Sequence, residues 1–284
     1  MGTLRIGELA RRTNLSPEVL RAWERRYGLL RPSRSAGGYR LYSEDDATRV
    51  LRMQELISSG IAAAEAARLA VEDAPAAAAA DDIVAELRAA LDGFDDTSAH
   101  RAFDRLLARL SVEAVLGEAV LPFLHELGER WERGEASVAQ EHFASHFLRG
   151  RLLGLARGWD RGVGPRAILA CAPGEQHDLP LIVFGIALRE HGWRITFLGA
   201  DVPVVTLART AAALGPAAVV VSATQREYLE ANVRELAAAA RELPLWVGGA
   251  GADAELVRRC GGQLLPDGPL DEAAHLTTAA AAAA

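Results

Sequence analysis

Apolar positions along the chain follow two kinds of spacing. Up to about residue 160 they recur at three- and four-residue intervals; after residue 165 they come as short unbroken runs. The first spacing predicts amphipathic helices, the second strands covered on both faces. At the start, Ile6, Leu9 and Ala10 form one apolar face and Thr13-Asn14 break it. Ser16-Pro17 open a second helix, Ser as N-cap and Pro in the first turn, with Val19, Leu20 and Trp23 as its apolar positions. Two short helices joined by a tight turn make a helix-turn-helix pattern. In the stretch RPSRSAGGYRLY, Gly37-Gly38 predict a hairpin turn, and Tyr39, Leu41 and Tyr42 a return strand. A third helix begins near Ser43 and runs through Val50, Leu51, Met53 and Leu56.

Two breaks divide the rest. Ala74-Pro75 and the alanines that follow predict a linker at 76–80 after a first domain of 1–75. Residues 81–160 read as four helices: one through Ile83, Leu87 and Leu91, one through Phe103, Leu106, Leu107 and Leu110, then Val115 to Trp131 and Val138 to Trp159. Helices of this length with short connections predict a four-helix bundle. The Gly/Pro break DRGVGP at 160–165 follows. Beyond it, apolar runs at 166–172, 194–199, 217–223, 245–249 and 263–266 alternate with helical patterns. That is a β-α-β series, hence a Rossmann-like, flavodoxin-like parallel sheet over 165–276, in a multidomain α and α/β protein. The alanine-rich tail, 277–284, is assigned no function.

Charge sharpens the division. All 31 basic residues among the 284 are arginine. Residues 1–70 hold 12 Arg against 8 acidic residues, a net of +4; residues 71–284 hold 19 against 30, a net of −11. A basic head on an acidic body is expected to bring only the head to a polyanion. The two cysteines, Cys171 and Cys260, exclude a disulfide scaffold or Cys-rich zinc site and fit a reducing cytoplasm. Neither a membrane span nor a secretory signal core is expected.

In parallel α/β sheets, ligands bind beyond the carboxyl ends of the strands, near the switch in strand order. Three groups fall at such ends: Gly174-Glu175-Gln176-His177-Asp178-Leu179-Pro180, Ser222-Ala223-Thr224 and Gly248-Gly249. In a flavodoxin-like order these three loops line one crevice. Glu175-x-His177, Ser222-x-Thr224 and Gly248-Gly249 resemble the cobalamin-binding fold of methionine synthase and its relatives. The resemblance implies that His177 is the lower ligand to cobalt, replacing cobalamin's own base, with Glu175 behind it. Ser222, Thr224, Gly248 and Gly249 would line the slot for the displaced tail. The family pattern has Gly three residues after the His, where this chain has Pro180.

Trp131, followed after nine intervening residues by Glu141-His142, resembles the helical domain of the cobalamin-dependent photoreceptors of the CarH and LitR type. There these residues, with the position of Val138, cover the upper face of adenosylcobalamin. In those light sensors the residue after the Trp is a His that takes the upper cobalt position after photolysis; here it is Glu132. Three outcomes stay open: Glu132 ligates, His142 or His146 does, or water does.

The head, IGELARRTNLSPEVLRAWERRYGLLRPSRSAGGYRLYS, resembles the MerR-type winged helix-turn-helix. The resemblance implies that Arg21, Arg25 and Arg26 sit on or near the helix entering the major groove, with Arg34, Tyr39 and Arg40 on the wing. Some of these arginines must instead pair with Glu24, Asp45 or Asp46, and Trp23 is expected in the core. Taken whole, the resemblance implies a light-responsive repressor. Adenosylcobalamin promotes a tetramer on operator DNA in the dark, and light releases it. Linked heads make such a tetramer bind with avidity.

Other readings carry distinct expectations. A regulator sensing cobalamin or another tetrapyrrole without a light switch is favoured by Glu132. A corrinoid carrier for methyl transfer, or a mutase-like enzyme, fits the sheet but not the head. A cofactor-free regulator would be indifferent to loss of His177. His100, His125, His191 and His275 have no partners at ligand spacing, and no nucleophile-base arrangement of an enzyme is seen.

Overall fold

The computed structural model describes residues 4–34, 38–58, 61–265 and 268–283, apart from the side chains of 72–79 and 281–283. Contacts divide the chain into two compact units, residues 1–89 with 97–109, and residues 90–96 with 110–284.

The first unit opens with α1 (Ile6–Thr13) and α2 (Pro17–Tyr27). Asn14 at φ 51° ends α1, and the Ser16 hydroxyl accepts a hydrogen bond from the Val19 N–H to cap α2. A short wing follows, β1 (Ser33–Arg34) antiparallel to β2 (Arg40–Leu41). Of the turn expected at Gly37-Gly38, Gly37 lies outside the described residues and Gly38 is at φ 78°. An antiparallel return strand is present, but its register, Ser33 with Leu41 and Arg34 with Arg40, is one residue off that of a two-residue turn at 37–38. Then come α3 (Glu44–Ser58), α4 (Ala63–Asp92) and α5 (Asp96–Leu107). Leu9, Leu20, Leu29, Tyr42, Val50 and Met53 are fully buried in one core, and Trp23 packs against it. Asp46, also fully buried, accepts hydrogen bonds from the backbone N–H groups of Arg31 and Ser43 and from the Arg49 guanidinium.

One expectation changes here. The linker expected at 76–80 is helical, because α4 runs unbroken from Ala63 to Asp92. Alanine has the highest helix propensity, so an alanine run continues a helix rather than interrupting it. The four helical runs expected over 81–160 are present, as the end of α4, α5, the run from α6 through α7, and α8; α4 up to Ala89 and most of α5 lie in the first unit. An Arg105–Glu86 ion pair ties α5 to α4.

In the second unit, α6 (Val112–Ala114) leads into a π-helical stretch, Val115–Val120, and then α7 (Leu121–Glu132). Pro122, in the first turn of α7, has no N–H for the carbonyl four residues back, and the wider π turn precedes it. α8 (Val138–Leu155) starts from a capping box between Ser137 and Gln140. Asp92 anchors both helices: its carboxylate takes Arg130 of α7 and its carbonyl takes the Gln140 amide of α8.

The α/β part runs β3 (Arg166–Cys171), α9 (Leu179–Glu190), β4 (Arg194–Gly199), α10 (Val204–Leu214), β5 (Ala218–Ser222), α11 (Arg226–Ala231), α12 (Val233–Ala239), β6 (Leu245–Gly248), α13 (Ala254–Arg259), β7 (Gln263–Leu264) and α14 (Pro269–Ala283). All five strands are parallel, in the order β4-β3-β5-β6-β7, which is the flavodoxin-like order expected. Ile168, Ala170, Val219, Val221 and Val247 form one core with Val204, Leu207, Leu236 and Leu256. Their neighbours along the strands point to the other face, where Trp246 meets His275 of α14 edge-on. The segment 277–284, expected as a tail, belongs to α14 up to Ala283, and the Thr277 hydroxyl accepts the indole N–H of Trp193.

Candidate functional site

The carboxyl ends of β3, β5 and β6 bring Glu175, His177, Ser222, Thr224, Gly248 and Gly249 together. Glu175 is fully buried and accepts four hydrogen bonds. Its Oε1 takes the backbone N–H of His177 at 2.8 Å and the imidazole Nδ1 at 2.6 Å. Its Oε2 takes the backbone N–H and the hydroxyl of Thr224, both at 2.6 Å. Burial alone would raise the Glu175 pKa, but the hydrogen bonds from His177 and Thr224 prevail and hold it at about 2. The hydrogen bond to Glu175 raises the His177 pKa, burial opposes it, and the charges of Glu175 and Glu141 add to the rise. With Nδ1 held as a donor, Nε2 carries the free lone pair, and the His177 side chain is 60% exposed. A carboxylate-oriented imidazole with its tautomer set in advance is chemically suited to hold a transition metal.

The surrounding loops are tightly built. Gly174, at φ 86°, lies under the Tyr228 ring, where a Cβ would come within 2.9 Å. Its N–H donates to Asp201, whose own N–H donates to the Glu175 carbonyl. Pro180 sits in the first turn of α9, a position that needs no N–H donor and no left-handed backbone. That explains how the loop dispenses with the glycine of the family pattern. Gly249 is at φ 88°, and a Cβ there would lie 2.5 Å from the Ala223 carbonyl and 2.9 Å from the Ser222 hydroxyl. Glu272 of α14 accepts the Gly249 N–H at 3.3 Å and would lie 3.0 Å from a Cβ at Gly248. Sequence spacing holds no signal for Glu272, which reaches the loop from 23 residues away.

The helical residues lie about the α7–α8 corner. Trp131 and Glu132 end α7, and Val138 begins α8. Trp131 is 52% exposed and Val138 59%, a large apolar surface left open at one helix junction. Glu141 accepts from His142 at 2.6 Å and from Ser145 at 2.7 Å. Its pKa is lowered: burial opposes, but the bonds from Ser145 and His142 and the charges of His142 and His177 prevail. Glu141 and His177 thus act on each other electrostatically. His146 Nδ1 donates to the His142 carbonyl, and the two rings stand 6.3 Å apart. Glu132 is exposed.

In the head, Arg21 and Arg25 are four residues apart on α2 and share a face. Arg26 lies about 140° round the helix from Arg21. It lines a separate cavity of about 490 Å³ together with Arg31 and Arg68. Arg40 is paired with Glu24 at 3.1 Å, and Glu24 also accepts the Tyr42 hydroxyl, so the wing is tied to α2. The Arg34 guanidinium reaches the Gly38 carbonyl, and Arg5 stacks over the ring of Tyr39, which is 69% exposed. Two further carboxylates go to other arginines, Asp46 to Arg49 and Glu44 to Arg12.

No described helix is long and apolar enough to cross a membrane. A model of the MerR HTH family of regulatory proteins matches residues 4–72, and models of the B12 binding domain match residues 83–153 and 165–264. The chain is 35% identical over 268 residues to the HTH-type transcriptional repressor CarH of Myxococcus xanthus, covering 88% of this chain and 90% of that one. It is also 35% identical over 257 residues to the repressor CarA of the same organism, covering 88% of each. Among solved structures, the Methanosarcina barkeri monomethylamine corrinoid protein matches the fold with a TM-score of 0.59 at 18% identity, over 72% of this chain and 99% of that one. A MerR-type head, a helical B12 binding domain and a parallel-sheet B12 binding domain in this order place the chain in the CarH and CarA family of cobalamin-binding transcriptional regulators.

Proposed function

We propose that the chain is an adenosylcobalamin-dependent, light-responsive transcriptional repressor. The observation that carries this reading is His177, with Nδ1 locked to a buried carboxylate and the rest of its ring exposed at the carboxyl end of the sheet. His177 would hold the cobalt from below and Glu175 would keep its tautomer. Ser222, Thr224, Gly248 and Gly249 would form the tail slot. Trp131, Val138, Glu141 and His142 would cover the upper side and exclude water from it. Bound adenosylcobalamin would supply a cobalt–carbon bond that light breaks. The chain's part is to favour one assembly state while the upper ligand is present, since a ligand shifts an equilibrium only by its differential affinity for the two states. Arg21 and Arg25 would meet the major groove, with Arg26, Arg34 and Tyr39 reaching the backbone. Arg40 would act by holding the wing against α2, because its guanidinium is already engaged by Glu24.

Size-exclusion chromatography with full absorbance spectra tests this, on protein loaded with adenosylcobalamin, in the dark and after green light. A dark tetramer that becomes smaller in light, with a changed cobalamin spectrum, is the expected result. Failure to bind any cobalamin overturns the assignment of His177. Glu132 favours a second reading, a cobalamin-sensing regulator with no light switch. It predicts a cobalamin-bound oligomer that light leaves intact.

A further inference from the structure

We propose that the Arg149–Asp178 ion pair is a positioning link between the helix that covers the cofactor and the loop that carries its lower ligand. The proposal rests on the cobalamin reading above. Asp178 directly follows His177, and its side chain is only 6% exposed. The Arg149 guanidinium, projecting from α8, grips both of its oxygens. Nε lies 3.1 and 3.0 Å from Oδ1 and Oδ2, and Nη2 lies 2.8 Å from Oδ2. Asp178 is itself held in the loop: its N–H donates to the Gln176 carbonyl, and its carbonyl accepts the Ile182 N–H at the start of α9.

The loop therefore has two kinds of anchor. Glu175 and Gly174 tie it to the sheet side, through Thr224 and Asp201. Arg149 ties it to α8. That same helix carries Glu141 and His142 in its first turns, eight and seven residues and about 10–12 Å before Arg149. A helix moves as a rod, so a displacement of its first turns by the upper ligand reaches Arg149 and pulls on the residue next to His177. The forked geometry requires arginine, because lysine presents a single point charge. A purely structural ion pair would behave differently. Arg149 is half exposed and Asp178 nearly buried, so removing Arg149 leaves a buried carboxylate unpaired and lowers stability whether or not the pair acts as a link; the melting temperature alone does not report on it.

The test uses the full chain and two probes, adenosylcobalamin and aquocobalamin, which share a lower face and differ above cobalt. Dissociation constants are measured by absorbance titration in the dark, and the spectrum reports imidazole ligation. The wild-type chain should separate the two probes by about tenfold or more, the scale on which groups behind a metal ligand act. Arg149→Met should bring the two constants within about threefold of each other while retaining ligation by His177, and Arg149→Lys should fall between. Asp178→Asn provides the same reading if Arg149→Met does not fold. An unchanged ratio in Arg149→Met, whatever its melting temperature, overturns the link and leaves the cobalamin site standing. A wild-type chain that does not separate the probes also overturns it. A wild-type spectrum identical to that of His177→Ala overturns the cobalamin reading itself, and the link with it.

Discussion

Glu175 shows how one side chain can set both the shape and the chemistry of a site. Its two oxygens are shared between His177 and Thr224, residues on different loops, and each residue gives one backbone and one side-chain hydrogen bond. An amide there would place its NH₂ against donors, leaving a buried conflict in place of a charge-assisted bond. Glu175→Gln should therefore weaken cobalamin binding by about 10- to 100-fold. Absorbance titration measures it, and an affinity equal to wild type would show that the carboxylate does not orient the ligand. The resemblance implies a place for Thr224 at the tail slot; its contacts show that it also fixes the Glu175 carboxylate behind His177.

At the scale of elements, Asp46 holds the head together by joining the start of α3 to the segment after α2. Its pKa is lowered: burial opposes, but the hydrogen bonds from Arg31, Ser43 and Arg49 prevail. The folded head therefore binds that proton less readily than the unfolded chain does. The resulting stability is complete above the usual carboxylate range and is lost as pH falls through the depressed value. Asp46→Asn should destabilise the head by about 1–3 kcal/mol at neutral pH. The gap to wild type should close as the medium is acidified. Thermal melts at stepped pH measure this, and a gap that does not change with pH would assign the loss to packing alone. Late in the chain, α14 completes the sheet domain through Trp193–Thr277 and Glu272–Gly249, although its composition carries almost no functional signal.

For the whole molecule, the division of charge matters most. The head is net basic and the remainder net acidic, so long-range attraction to DNA is confined to the head and the remainder repels it. Removing one phosphate-binding arginine should reduce the slope of log affinity against log salt by about one. Arg26→Ala should act in this way, weakening binding evenly across sequences, because Arg26 lies on the flank of α2. Arg21→Ala should instead relax sequence preference at about 1–3 kcal/mol per base contact. Binding to operator and random duplexes over a salt series separates the two, and identical behaviour of both variants would refute the assignment by helix face.

Features that depend on near neighbours are legible in the chain alone. Ser16-Pro17 start α2, unbroken apolar runs make strands, and Glu175-x-His177 puts a carboxylate within reach of its own imidazole. The strand order is legible too, because few orders suit a β-α-β series of this length. Features that depend on the distance between elements came only with packing. It joined Arg149 to Asp178 across 29 residues and Glu175 to Thr224 across 49. It paired Arg40 with Glu24 across 16 residues. The physical reason is the same in each case. Caps and periodicity act over a few residues, whereas an ion pair between helices depends on where packing brings their ends.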